Sequence, residues 1–236
     1  MFDDTAPLAS LSVTHVYYDP GDPVSLLCAY LALLPQALCV VYTTLVLSTR
    51  EAEIALMFLG QLGCEALNFV LKRLIKEERP RRIHGKGYGM PSSHAQFVAF
   101  WSVSLALFLL LRHRPHPRRL HAGSGATSAA PTRSWSVLER VGVSLLATSV
   151  AAATAWSRIY LNYHTPRQVV AGTVAGVVTA LLWFGFTALL RQTGLLAWAL
   201  ELPVAKLLRV RDLVVSEDVC QAGWEKWERS KKAKMG

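Results

Sequence analysis

Charge is scarce in this sequence. Only 17% of the 236 residues are Asp, Glu, Lys or Arg, against 52% hydrophobic, and the mean hydropathy is +0.30. An ordinary soluble domain of this length carries more charge, so that class is excluded and the chain reads as a membrane protein. Lys and Arg are missing altogether before Arg50, where Asp3, Asp4, Asp19 and Asp22 stand instead. A cleavable signal peptide is therefore not expected, since its basic start and apolar centre are replaced by acids and a Pro20-Gly21 turn. Cysteine is sparse and scattered: Cys28, Cys39 and Cys64 lie in apolar segments and Cys220 in the polar tail, which suits free thiols better than disulfides or a zinc site. No metal and no cofactor are expected.

Long apolar runs are present. Crossing the hydrocarbon core takes about 20 mostly apolar residues in a helix, and Val24 to Ser48, Ala52 to Leu71, Ala95 to Leu111, Val137 to Trp156 and Gln168 to Leu190 meet or approach that length. A sixth run, Gly194 to Val210, is short, contains Pro203 and ends in basic residues, so it is read as interfacial. The expected fold class is all-α: a polytopic membrane helical bundle of about five transmembrane helices and a short interfacial C-terminal helix. Residues 1–236 are read as one integral-membrane domain, with a flexible basic linker at 113–135 and a polar tail at 211–236.

The positive-inside rule orients this bundle. The start without Lys or Arg is expected outside the cytosol, and with five spans the linker and the tail then face the cytosol. One basic cluster breaks the rule. The segment "LKRLIKEERPRRIHGKGYGMPSSH", after the second span, falls on the luminal side although it holds Lys72, Lys76, Arg79, Arg81, Arg82 and Lys86. Snorkelling helix ends explain Lys72 and Lys76, whereas the whole set suits an anion. The partners expected are thus membrane lipids and an anionic lipid substrate, with no nucleic acid.

Two further polar clusters adjoin it. Gln61, Glu65, Asn68 and Lys72 stack on one face of the second span and are expected to turn inward, with Glu65 joining helices and Lys72 leading to a polar site. "SRIYLNYHTPRQV", between the fourth and fifth spans, brings Arg158 and His164 to the end where His94 opens the third span. A single histidine in such a place is more often structural; two histidines beside several cations favour chemistry.

Lys72, six residues, then Arg79-Pro80; Pro91-Ser92-Ser93-His94; and Ser157-Arg158, five residues, then His164: this order resembles the three-part signature of the type 2 phosphatidic acid phosphatase superfamily. The resemblance runs from Lys72 to Gln168. It implies a metal-independent phosphatase working through a phosphohistidine, with His164 as nucleophile and His94 as general acid. Lys72, Arg79 and Arg158 would bind phosphate oxygens, helped by Ser92 and the backbone around Ser93. The chemistry agrees: fixed cations and helix-end amides stabilise the charge on a transferring phosphoryl group, and covalent catalysis divides one hard step into two.

Two positions depart from the family pattern. Ser93 stands where Gly is usual, and Ser93 with Gln96 fits a capping box. Gln168 stands where an Asp usually follows the nucleophile. It either orients His164 or only caps the fifth span through "TPRQ". A glutamine partner adds no negative charge, which points to an easily expelled leaving group and hence to a diphosphate substrate; the resemblance implies that this substrate is a polyprenyl diphosphate lipid. The alternatives are a lipid monophosphate phosphatase, acting on phosphatidic acid or a sphingoid phosphate, and a non-catalytic lipid-binding protein. The tail "KKAKMG" sets Lys232 and Lys234 at a spacing that resembles a dilysine signal read by endoplasmic-reticulum retrieval machinery; a solvated basic tail explains it equally.

Overall fold

The computed structural model describes residues 9–11, 16–80, 87–113 and 135–235. Five helical stretches are long and apolar enough to cross a bilayer: Pro23–Thr49, Ala52–Ile75, Ser93–Arg112, Val137–Tyr160 and Pro166–Gln192. Each extends beyond the apolar run that announces it, because the polar residues at the ends, Lys72 and Arg158 among them, continue the helical turns. Arg81, Arg82 and Lys86 lie outside the described residues, as does the linker from 114 to 134.

The first span is not continuous. It consists of α1 (Pro23–Leu31) and α2 (Leu34–Thr49), separated at Ala32 and Leu33. Pro35 sits in the first turn of α2, where its missing N–H costs nothing. A left-handed residue, Arg50 (φ 57°), turns the chain into α3 (Ala52–Ile75).

At the centre stands α4 (Ser93–Leu107), which ends in a π-helical turn, Phe108–Arg112. It packs most extensively on α6 (Pro166–Gln192) and next on α5 (Val137–Tyr160). Small residues permit the close approach. A Cβ on Gly176 would meet the Gln96 carbonyl oxygen at 2.3 Å, and one on Gly172 the Ser92 carbonyl oxygen at 2.5 Å. This Gly172-x-x-x-Gly176 pair lets α6 lie against α4 where lipid offers no hydrophobic drive for association.

The stripe on α3 behaves only partly as expected. Gln61 and Asn68 are buried and join α3 to α4: Gln61 Nε2 donates to the Phe97 carbonyl (3.3 Å), and Asn68 Nδ2 donates to Gln96 Oε1 (2.7 Å). Glu65 does not join helices; it is exposed beside the α2–α4 groove. The Ser93–Gln96 capping box is not formed either. Ser92 is the N-cap residue of α4, and Gln96 instead sends Nε2 to the Cys64 carbonyl at 2.9 Å. Burial of the amide between two helices outweighs one capping bond.

At the end remote from His94 and His164, buried ion pairs tie the C-terminal segment down. Glu53, 2% exposed, meets Arg112 and Arg191 at 2.6 Å each. Glu51 accepts from Arg211 Nε (2.8 Å) and from the Leu213 and Val214 amides (2.8 and 3.0 Å). Between these anchors run α7 (Leu195–Glu201) and α8 (Pro203–Leu207), each too short to cross a bilayer, with Leu195, Trp198, Val204 and Leu207 exposed, as an interfacial segment requires. The tail beyond forms another helix, α9 (Val219–Met235). At the end that holds His94 and His164 a short antiparallel pair, β1 (Ala9–Leu11) and β2 (Val16–Tyr18), caps the bundle, and the Tyr17 amide donates to the Tyr163 hydroxyl at 2.8 Å.

Candidate active site

The last turn of α5 places Arg158, and the link after it folds back onto that turn. The Tyr163 and His164 amides donate to the Arg158 carbonyl at 3.0 and 3.1 Å. The Arg158 guanidinium then lies 4.1 Å from the centre of the Tyr163 ring and is only 2% exposed. Its Nε and Nη1 are buried and have no hydrogen-bond partner among the described residues. Leaving charged donors unsatisfied is costly, and a fold keeps them so where an anion is to fill the place.

His164 is 3% exposed. Its Nδ1 lies 3.1 Å from Gln168 Oε1, an oxygen that only accepts, so Nδ1 carries hydrogen and Nε2 keeps its lone pair. Burial first, then the Arg158 and Arg79 guanidinium groups, pull the imidazole down to about 3, and Lys72 acts in the same sense. At neutral pH the ring is therefore neutral, with the Nε2 lone pair available, in a positive field.

Gln168 is fully buried and uses all its amide valences. Oε1 accepts from His164 and, at 3.3 Å, from the Thr165 amide, while Thr165 Oγ1 accepts from the Gln168 amide to complete the capping box at the start of α6. Nε2 donates to Glu77 Oε1 and to the Glu78 carbonyl, both at 2.9 Å. Capping and contact with His164 are thus both present. Gly89 is part of this packing, because a Cβ there would come within 2.8 Å of Gln168 Oε1.

His94 stands in the first turn of α4. Its Nε2 lies 3.1 Å from the Ala32 carbonyl oxygen, an acceptor that the break between α1 and α2 brings to the site. Ser92 is completely buried, its Oγ has no partner among the described residues, and its amide donates to the Gln168 carbonyl at 3.1 Å. Ser93 begins the helix, where the first-turn N–H groups offer partial positive charge. Lys72, in the last turn of α3, and Arg79 are half-buried at the same end. A cavity of about 290 Å³ opens beside His94, walled by Pro35, Cys39, Glu65, Ser93 and Phe97.

A model of the PAP2 superfamily matches residues 53–191, a stretch that holds all three motif segments. The chain belongs to the PAP2 superfamily. A Neurospora crassa protein is 53% identical over 99% of this chain and 96% of its own length. The protein named Dolichyldiphosphatase 1 in Dictyostelium discoideum is 34% identical over 90% of this chain and 86% of its own. The Homo sapiens protein of the same name is 38% identical over 86% and 81%. No solved structure matches.

This PAP2 chain brings Lys72, Arg79, Ser92, His94, Arg158, His164 and Gln168 to one end of the bundle, although they come from four helices and two links. Sequence reasoning missed three contributors. Tyr163, which stacks on Arg158, reads as an ordinary apolar aromatic; Ala32 acts through its backbone; and Glu77 is submerged in a basic run. Among the described residues, no three His, Cys, Asp or Glu side chains are grouped as a metal site requires.

Proposed function

We propose that the chain hydrolyses dolichyl diphosphate to dolichyl phosphate and phosphate through a phosphohistidine on His164. The observation that carries the reading is the buried Arg158, whose Nε and Nη1 have no partner among the described residues, next to a neutral His164 whose Nε2 keeps its lone pair. The relatives named Dolichyldiphosphatase 1 supply the substrate.

His164 Nε2 attacks the terminal phosphorus as the bond to the bridging oxygen breaks. Arg158, Arg79 and Lys72, with the Ser92 hydroxyl and the α4 amides, hold the phosphoryl oxygens and the charge that spreads over them. His94 gives a proton to the departing dolichyl phosphate, then takes one from the water that attacks phosphorus and releases His164. A phosphate monoester leaves far more readily than an alkoxide. The apolar wall of Pro35, Cys39 and Phe97 beside His94 suits the lipid end of the substrate, whose polyprenyl tail stays in the bilayer.

The deciding experiment measures phosphate release by the detergent-purified chain from dolichyl diphosphate and from phosphatidic acid, in excess chelator. We expect full activity on the diphosphate with chelator present, and inhibition by vanadate, which mimics five-coordinate phosphorus. Preference for phosphatidic acid makes the chain a lipid monophosphate phosphatase instead. Loss in chelator with recovery on adding magnesium overturns the phosphohistidine route.

The proposed setting is the endoplasmic-reticulum membrane, with the site on the luminal face and the product re-entering the carrier-lipid cycle of N-glycosylation. Support comes from the start without Lys or Arg and from Lys232 and Lys234 in the tail. Cys220 tests the sidedness, since it is exposed while Cys28 and Cys64 are buried and Cys39 is partly so. A membrane-impermeant maleimide should label Cys220 in sealed microsomes; labelling only after permeabilisation reverses the orientation.

A further inference from the structure

We infer that Glu77 is a positioning residue for the nucleophile, supplying through Gln168 the negative charge that a glutamine lacks. The inference rests on the phosphatase reading above. Its basis is a continuous chain of contacts: His164 Nδ1 to Gln168 Oε1 at 3.1 Å, and Gln168 Nε2 to Glu77 Oε1 at 2.9 Å.

As His164 Nε2 bonds to phosphorus, its ring becomes a positively charged phosphoimidazolium that keeps the Nδ1 hydrogen. A glutamine carbonyl meets that charge with a dipole only. A carboxylate on the far side of the same amide polarises it, because hydrogen bonds in series strengthen one another where the dielectric is low. No proton leaves the ring, so the step balances without a further acid or base. Arg158, Arg79 and Lys72 all bear on His164 with positive charge. Glu77 is the anion that reaches it through Gln168, and the Gly89 amide, which donates to the Glu77 carbonyl at 2.7 Å, fixes the backbone from which it does so.

A structural alternative is that Glu77 merely completes the hydrogen bonding of a buried amide. The two differ in one consequence. If charge is what matters, Gln168→Asp alone sets two carboxylates against each other and gains nothing, whereas Glu77→Gln combined with Gln168→Asp moves the single negative charge one residue closer to His164.

The experiment compares kcat and KM for dolichyl diphosphate among the full-length parent, Glu77→Gln, Glu77→Asp, Gln168→Asp and the double variant, at matched thermal stability. Glu77→Gln should lower kcat about tenfold with little change in KM, in the range that outer partners of functional histidines contribute. Gln168→Asp should also fall, the double variant should recover to within a few-fold of the parent, and Glu77→Asp should keep more activity than Glu77→Gln. Parental kcat in Glu77→Gln, or a double variant whose loss is the product of the two single losses, overturns the inference. The parent's own turnover tests the phosphatase reading separately. Vanadate affinity followed by thermal shift should show the same pattern of loss and recovery across the variants without turnover, and equal affinities in the parent and Glu77→Gln count against Glu77.

Discussion

His164→Ala should abolish phosphate release from every substrate, diphosphate or monophosphate, because no other group replaces a covalent nucleophile. The expected loss is roughly a millionfold in kcat, the scale on which removal of such a residue acts in other covalent enzymes. Folding should survive. The ring is small and lies in a link rather than in a helix, and Gln168 keeps its bonds to Thr165, Glu77 and Glu78 when His164 is removed. The stability lost with one hydrogen bond is about 1 kcal/mol. His94→Ala should act differently, slowing an alkyl monophosphate more than a diphosphate, since an alkoxide needs the proton that a phosphate monoester can leave without. Phosphate release on folded, purified variants checks both.

Arg158 gives the second large effect, and it separates function from stability. Its guanidinium is buried, and Nε and Nη1 have no hydrogen-bond partner among the described residues, so the fold bears the desolvation of a charge that, on the proposed reading, phosphate would satisfy. Arg158→Met keeps most of the packing against Tyr163 and removes the charge. We expect kcat to fall about 10²- to 10³-fold, as when one fixed transition-state donor is lost, while Tm stays level or rises. Arg158→Lys should recover part of the rate, since the charge remains but the planar fork that can hold two phosphate oxygens does not. Calorimetry alongside turnover reads both. A fall in Tm with unchanged kcat would make Arg158 a structural residue.

The sequence made much of this legible, for physical reasons. Spans follow from apolar length, and the five that were expected are the five that form. The ends were less legible, because Lys72 and Arg158 are polar yet helical, and composition marks the hydrocarbon core rather than the helix. The three motif segments pointed to one end of the bundle. What each residue touches there did not follow from spacing.

Gln168 illustrates the limit. As the first residue of an apolar run it reads as a cap or as a partner for His164, and only the fold shows one amide doing both while also reaching Glu77. Glu65 shows the opposite failure. Helical periodicity puts it on the face of Gln61 and Asn68, but that face is wider than the contact with α4, so Glu65 emerges beside the groove. The break at Ala32 and Leu33 had a signal in Pro35, though a proline in the first turn of a second helix looks, in sequence, like one within a continuous span. The Gly172–Gly176 pair was overlooked because its meaning depends on which helix lies opposite.

The central claim is that phosphate passes through His164, and direct capture of that intermediate tests it most closely. The purified chain carrying His94→Ala, in which the attacking water lacks its base, is mixed with dolichyl diphosphate labelled in the terminal phosphate, quenched in alkali and digested for mass spectrometry. The account predicts an acid-labile, alkali-stable phosphoryl group on the peptide containing His164, absent when His164→Ala is added. Label on any other residue, or turnover that persists in His164→Ala without a phosphorylated intermediate, would contradict it.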